Sequence, residues 1–194
     1  MQVGQWRFCV FYVAIVSLIV HLAPPASAGP AQNDAATEEL MQVFNDICLR
    51  KFPDDAKIAI YAEERHFTPL SRDMVAKMLG KDPGVGWIQK GGFGGYVITI
   101  EQPPFHTCAI RKQFAQSPDI HERFAGTLET WRTSRPGAKI AERPGQSAAV
   151  GGIVSQVYPF EMSVSSNRSE SLMAIITPRG DITEVRLVRA IGGL

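Results

Sequence analysis

The chain predicts an α+β domain in which N-terminal helices pack on an antiparallel sheet, and three observations carry that prediction. Between Thr37 and Leu79 the apolar residues recur at helical spacing, between recognisable caps. From Asp82 onward the period falls to two, in runs rich in β-branched and aromatic residues that glycine and proline punctuate. A single helical stripe, Ile120 to Trp131, interrupts the strands. The resulting order, three helices, two strands, a helix and three strands, places helices against one antiparallel sheet.

The elements follow in turn. Thr37 with Glu38 and Glu39 behind it suits a helix start, because a hydroxyl accepts from free backbone N–H groups and carboxylates favour the positive end of the dipole. Leu40, Val43, Phe44, Ile47 and Cys48 then share one face, which turns Cys48 inward. Pro53 ends that helix, and Asp54 or Asp55 caps a second over AKIAIYAEERHF. Ser71 caps a third, RDMVAKML, closed by Gly80. The glycine-rich stretch DPGVGWIQKGGFGG holds Trp87 and Ile88 as a candidate short strand outside that order, and the first strand counted in it is YVITIE. In FHTCAIR, residues 105–111, strand alternation sets His106, Cys108 and Ile110 on one face and Thr107, Ala109 and Arg111 on the other. Ser117-Pro118-Asp119 reads as the cap and first turn of a fourth helix. Arg135 to Ala149, with two Pro-Gly pairs, reads as a loop. Strands over about 153–164, 172–177 and 182–190 complete the chain. Pro159 marks a bulge or edge in the first of them, and Pro178-Arg179-Gly180-Asp181 turns between the last two. Two strands, a helix and three strands are similar to the profilin- or PAS-like arrangement, which implies no ligand.

The N-terminus sets the expected compartment. Residues 1–28 carry Arg7, the apolar run FCVFYVAIVSLIV, Pro24-Pro25 and then Ala26-Ser27-Ala28, the pattern of a cleaved signal peptide. An uncleaved anchor is the competing reading. Cleavage makes Gly29 the first mature residue, residues 29–36 a disordered start, and residues 37–191 a single domain in the periplasm or outside the cell, with no stable membrane insertion afterwards.

Charge and cysteine counts narrow the function. The chain holds 20 Lys+Arg against 19 Asp+Glu, and the leader takes away Arg7 and no acid. The mature part is therefore neutral, which argues against nucleic acid as a partner. Cys9 leaves with the leader, so Cys48 and Cys108 remain as an even pair in an oxidising compartment, most simply a disulfide. Such a bond closes a loop of about sixty residues and contributes about 4 kcal/mol in the chain-entropy model. Its rival is a Cys108 thiolate activated by His106, whose side chains start nearly 7 Å apart along a strand.

No metal site is expected. His66, His106 and His121 form no HxH or HxxxH pair, and Glu63-Glu64-Arg65-His66 reads as a solvated helix end. Neither a phosphate loop nor a dinucleotide turn fits glycines that precede a strand, and no Gly-x-Ser-x-Gly elbow or triad can be matched, so no catalytic residue and no cofactor are assigned. Arg179-Gly180-Asp181 is turn chemistry as much as an integrin tripeptide, and Asn167-Arg168-Ser169 is an acceptor only where a glycosylation pathway exists. Trp87, Phe93 and Tyr96 stand as a candidate binding loop, since aromatics displayed among glycines can form a lip for a partner.

FNDICLRKFPD, Leu79-Gly80, Trp87, GGYVITIE and HTCAIRK, spread over about Glu38 to Lys112, together resemble a group of small uncharacterised exported proteins of Gram-negative bacteria. The resemblance implies an envelope location and lends no catalytic residues. Two function classes remain. One is a non-enzymatic binding or accessory module for a protein, peptide or small ligand in the envelope; the other is a secreted hydrolase or other enzyme. A deep pocket with polar residues around the histidines favours the enzyme, and an apolar groove near Trp87 favours binding.

Overall fold

The computed structural model describes residues 30–150, 152–165 and 168–192; the expected leader and Asn167 lie outside these residues. Helix α1 (Pro30–Phe44) runs directly into a π-helical turn (Asn45–Leu49). Residues 30–36, expected to be disordered, are helical. Pro30 has no N–H to leave unpaired at a first helical position, and Ala31, Ala35 and Ala36 favour helix. Thr37 therefore sits inside the helix, its hydroxyl donating to the Asn33 carbonyl at 2.7 Å.

Helix α2 (Asp55–Glu64) is capped by Asp54, whose carboxylate accepts from the Lys57 amide at 3.1 Å. It ends in a left-handed residue that is not glycine: His66, at φ 55°. The Phe67 amide donates to the Ala62 carbonyl at 2.8 Å and the His66 amide to Glu63 at 3.0 Å, which is a Schellman closure with Phe67 folded back into the core. After strand β1 (Thr68–Pro69), helix α3 (Arg72–Leu79) is capped by the Ser71 hydroxyl, as the sequence predicts. Helix α4 (His121–Thr133) starts later than expected and has no side-chain cap. Pro118 and Ile120 are both buried, so packing decides where this helix begins and Ser117 is left outside it.

The strands are β2 (Gly84–Gly91), β3 (Gly94–Glu101), β4 (His106–Phe114), β5 (Lys139–Glu142), β6 (Gln146–Val150), β7 (Ile153–Ser165), β8 (Arg168–Arg179) and β9 (Ile182–Ile191). With β1 they form one antiparallel sheet in the order β1-β2-β3-β4-β9-β8-β7-β5, with β6 also on β7. The segment expected as a loop, 135–149, thus contains two strands. KIAE and QSAAV are mostly exposed and weakly apolar, and they owe their extended form to the free edge of long β7. Pro159 sits where the neighbour of β7 changes from β6 to β5; its carbonyl there accepts from the Arg143 amide, and its missing N–H costs no ladder bond.

Register divides the sheet into two faces. Tyr96, Ile98, Ile100, Cys108, Ile110, Leu172, Ala174 and Leu187 point to the face covered by α1, the π-turn, α2 and α4, whose Leu40, Phe44, Ile58, Phe124 and Leu128 complete the core. The Cys48–Cys108 disulfide ties the π-turn to the central strand, with Cα atoms 5.5 Å apart. Beside it, Arg189 is 1% exposed and the register partner of Cys108. Its Nε donates to Glu170 at 2.7 Å, and its Nη1 donates to the carbonyls of Cys48 (2.9 Å), Leu49 (3.2 Å) and Phe52 (2.9 Å). The guanidinium lies over the rings of Trp131 and Phe52. A helix end leaves carbonyls without intrahelical donors, and here a buried cation from the far end of the chain supplies them.

Candidate functional site

The opposite face of the sheet is only partly covered, by α3. Two glycines permit that covering: a Cβ on Gly84 would fall 2.4 Å from Leu79 Cδ1 of α3, and one on Gly86 would fall 2.7 Å from Leu70 Cδ1 in the segment leading into it. The glycines that invite a phosphate-loop reading therefore serve close packing of a helix on a strand.

Between the C-terminal end of α3 and the sheet lies a cavity of about 220 Å³. Its floor is one register row, Thr99, Ala109, Val188 and Met173, flanked by a second row in which Arg111 stands directly opposite Arg186. An adjoining cavity of about 440 Å³ shares Met78 and Arg111 as walls and reaches Ile88, Val97 and Glu184. Like charges directly opposite one another on neighbouring strands destabilise a sheet. Burial, and then their mutual repulsion and that of Arg179, hold the Arg111 guanidinium below the usual arginine value, with Glu184 opposing; burial likewise lowers Arg186. Glu184 itself pairs with Arg179 at 3.7 Å. Among the described residues neither Arg111 nor Arg186 has a carboxylate within ion-pair distance.

Two polar atoms in the cavity wall are buried and unpaired: Arg111 Nε and the hydroxyl of Thr99, a residue only 1% exposed. Arg111 makes one hydrogen bond, a 3.4 Å donation to the Met78 carbonyl. Buried donors without partners are uncommon and costly, and this cavity brings two such atoms together with two arginines that have no carboxylate at ion-pair distance among the described residues.

The remaining sequence-predicted residues do not assemble there. Trp87 and Tyr96 face the helical side of the sheet; Tyr96 is fully buried and Trp87 packs half-buried against the core, while Phe93 alone is exposed, at the tip of the β2–β3 hairpin. That tip is clamped. The Glu39 carboxylate accepts from the Gly92 amide at 2.8 Å and the Phe93 amide at 3.3 Å, and Lys112 donates to the Phe93 carbonyl at 2.6 Å. Burial pushes the Glu39 carboxyl up, but the neighbouring Tyr96 hydroxyl, the two amides and the Lys112 charge outweigh it and hold it below its ordinary value. The Tyr96 hydroxyl lies beside this carboxylate without hydrogen-bond geometry, and burial first, then the carboxylate, raise its pKa.

Cys108 is bonded to Cys48, which removes it as a thiolate nucleophile for His106. His106 instead pairs with Asp55 at 2.9 Å and His121 with Glu142 at 2.7 Å, far apart in the sequence and on different elements. Among the described residues no three metal-ligating side chains cluster. A larger open groove, about 940 Å³, runs between α1 and α4; of its three cations Arg123 pairs with Asp34 and Glu38 and Arg135 lies over the Trp131 ring, while Arg50 lines it as well. The open-face cavity was not legible in the sequence beyond one hint, the alternation that puts Arg111 on the face opposite Cys108.

No protein-family model matches the chain, and no curated protein matches it either. Among solved structures it is similar to PA94, a protein of unknown function from Pseudomonas aeruginosa, at 11% identity and a TM-score of 0.24, over 54% of this chain and 81% of that one.

Proposed function

We propose that the protein is an exported, non-enzymatic binding module of the bacterial envelope whose ligand is a small molecule carrying an anionic group. The observation that carries this reading is the convergence, in one cavity, of two arginines with no carboxylate at ion-pair distance among the described residues and of two unpaired buried polar atoms, Arg111 Nε and the Thr99 hydroxyl. A carboxylate or phosphate between Arg111 and Arg186 relieves their repulsion and gives Arg111 Nε an acceptor, while Met78, Leu79 and Val188 offer apolar walls to the rest of the molecule. The two adjoining cavities, at about 220 and 440 Å³, approach or fall in the size range of small-molecule sites. An exported location is supported by the leader pattern and is compatible with the disulfide; among the described residues no helix is long and apolar enough to cross a membrane.

Titration calorimetry with octanoate tests the site. Saturable binding by the wild type, abolished in Arg186→Met while the thermal midpoint stays the same or rises, is the expected result; identical binding by wild type and Arg186→Met overturns the assignment. Export is tested separately: mass spectrometry of the protein from the producing cell should give an N-terminus at or near Gly29, and recovery of intact Met1 from membranes refutes it.

A further inference from the structure

The cavity has a second end. Glu101, four residues along β3 from Val97, the register neighbour of Arg111, lines the same cavity as the two arginines. At about 3.3 Å per residue, the two register rows stand roughly 13 Å apart along the strands. Between them the floor is short and weakly polar: Thr99, Ala109 and Val188. Among the described residues Glu101 has no cation within ion-pair distance, and the charge that acts on it is another acid, Asp82, outside the cavity's lining. Burial, and then the Asp82 charge, push the Glu101 carboxyl above its ordinary value. A partly buried carboxyl crowded by another acid and a partly buried guanidinium crowded by another guanidinium are both poorly compensated, and each lacks what the other end has in excess. The separation is too long for them to satisfy one another directly.

We infer that the ligand is bipolar: an anionic group held by Arg111 and Arg186 at one end, a cationic amine held by Glu101 at the other, and a short apolar spacer over Ala109 and Val188. Thr99, unpaired in the floor between the two ends, adds a hydrogen bond to any polar atom of the spacer. A chain of about eight carbons spans roughly 10 Å when extended, which matches the row separation less the reach of the side chains at either end. This inference rests on the anion-binding reading above and adds the second charge to it.

The test compares ω-amino acids of four, six and eight carbons with monocarboxylates and monoamines of the same lengths, by calorimetry on the wild type, Glu101→Gln and Arg186→Met. At the best-fitting length the ω-amino acid should bind about tenfold more tightly than the equal-length carboxylate, the contribution of one charge-assisted hydrogen bond. Glu101→Gln should erase that advantage, and Arg186→Met should abolish binding of carboxylates and ω-amino acids alike. If carboxylates bind through Arg186 but no ω-amino acid binds more tightly than its equal-length carboxylate, the bipolar inference falls and anion binding stands. If no carboxylate and no ω-amino acid binds the wild type, both fall together.

Discussion

Replacing Arg189 with methionine should be far more damaging than neutralising its acidic partner, and the two costs can be worked out from the structure. Arg189 donates to the Glu170 carboxylate and, at the same time, to the carbonyls of Cys48, Leu49 and Phe52. Arg189→Met keeps much of the volume over Trp131 and Phe52 but leaves a carboxylate that is 4% exposed without its cation, and leaves buried carbonyls without donors. Removing one partner of a buried ion pair costs about 3 to 5 kcal/mol, and orphaned carbonyls add to it, so a loss of at least about 4 kcal/mol is expected. Glu170→Gln retains an oxygen that accepts from Nε and leaves the three carbonyl bonds in place. The buried guanidinium loses its carboxylate but keeps three carbonyl acceptors and two ring faces, so the cost should fall to about 2 to 3 kcal/mol. Against a typical domain stability of about 5 to 15 kcal/mol, the first variant sits close to unfolding and the second does not. Urea melts with the disulfide intact, fitted for both midpoint and slope, measure the difference. Arg189→Lys, with one ammonium in place of a fork, should fall between them and gives a measurable variant if Arg189→Met does not fold. Equal costs for Arg189→Met and Glu170→Gln would show that the ion pair, and not capping of the helix end, is what Arg189 supplies.

Four further outcomes follow from particular contacts. Cys48→Ala and Cys108→Ala should each lower stability by about 4 kcal/mol in denaturant melts, because either opens the same loop, and clearly unequal losses contradict that origin. Glu39, whose carboxyl is held below its ordinary value in the fold, contributes stability that is complete above the ordinary glutamate range and fades as pH falls through it and below; Glu39→Gln should flatten this acid limb of the stability–pH curve, and an unchanged limb refutes the clamp's contribution. His66→Gly should raise the denaturation midpoint by the equivalent of about 1 kcal/mol, since glycine enters the left-handed region without a Cβ penalty, and a lower midpoint contradicts this. Trp87→Ala should cost about 2 kcal/mol, less than a fully buried tryptophan, whereas Phe93→Ala should stay within about 0.5 kcal/mol; the reverse order in thermal melts overturns their placement.

What the sequence by itself determined here is local or pairwise. Asp54 and Ser71 cap their helices because a cap needs only a side-chain oxygen within three residues of a free amide. Alternation along FHTCAIR puts Cys108 inward, and an even pair of cysteines leaves one intramolecular disulfide, which the structure shows. The α+β class follows from the change of hydrophobic period near Asp82. Everything decided at longer range had to come from the tertiary structure. Helix α1 starts at Pro30 on local preference, but that its second turn sets Asp34 against Arg123 of α4 is a tertiary contact. Strands β5 and β6 exist because β7 offers an edge to a segment with little strand preference of its own. Trp87 and Tyr96, read together with Phe93 as one displayed loop, are separated because a two-residue period sends them inward while the hairpin tip carries Phe93 out. The cavity is the clearest case: Arg111 and Arg186 are seventy-five positions apart in the chain, and only the pairing of β4 with β9 makes them face each other. A single residue's periodicity says which face it occupies, but which residues share that face, and whether their charges are answered, depends on strand order and register, which are non-local properties of the sheet.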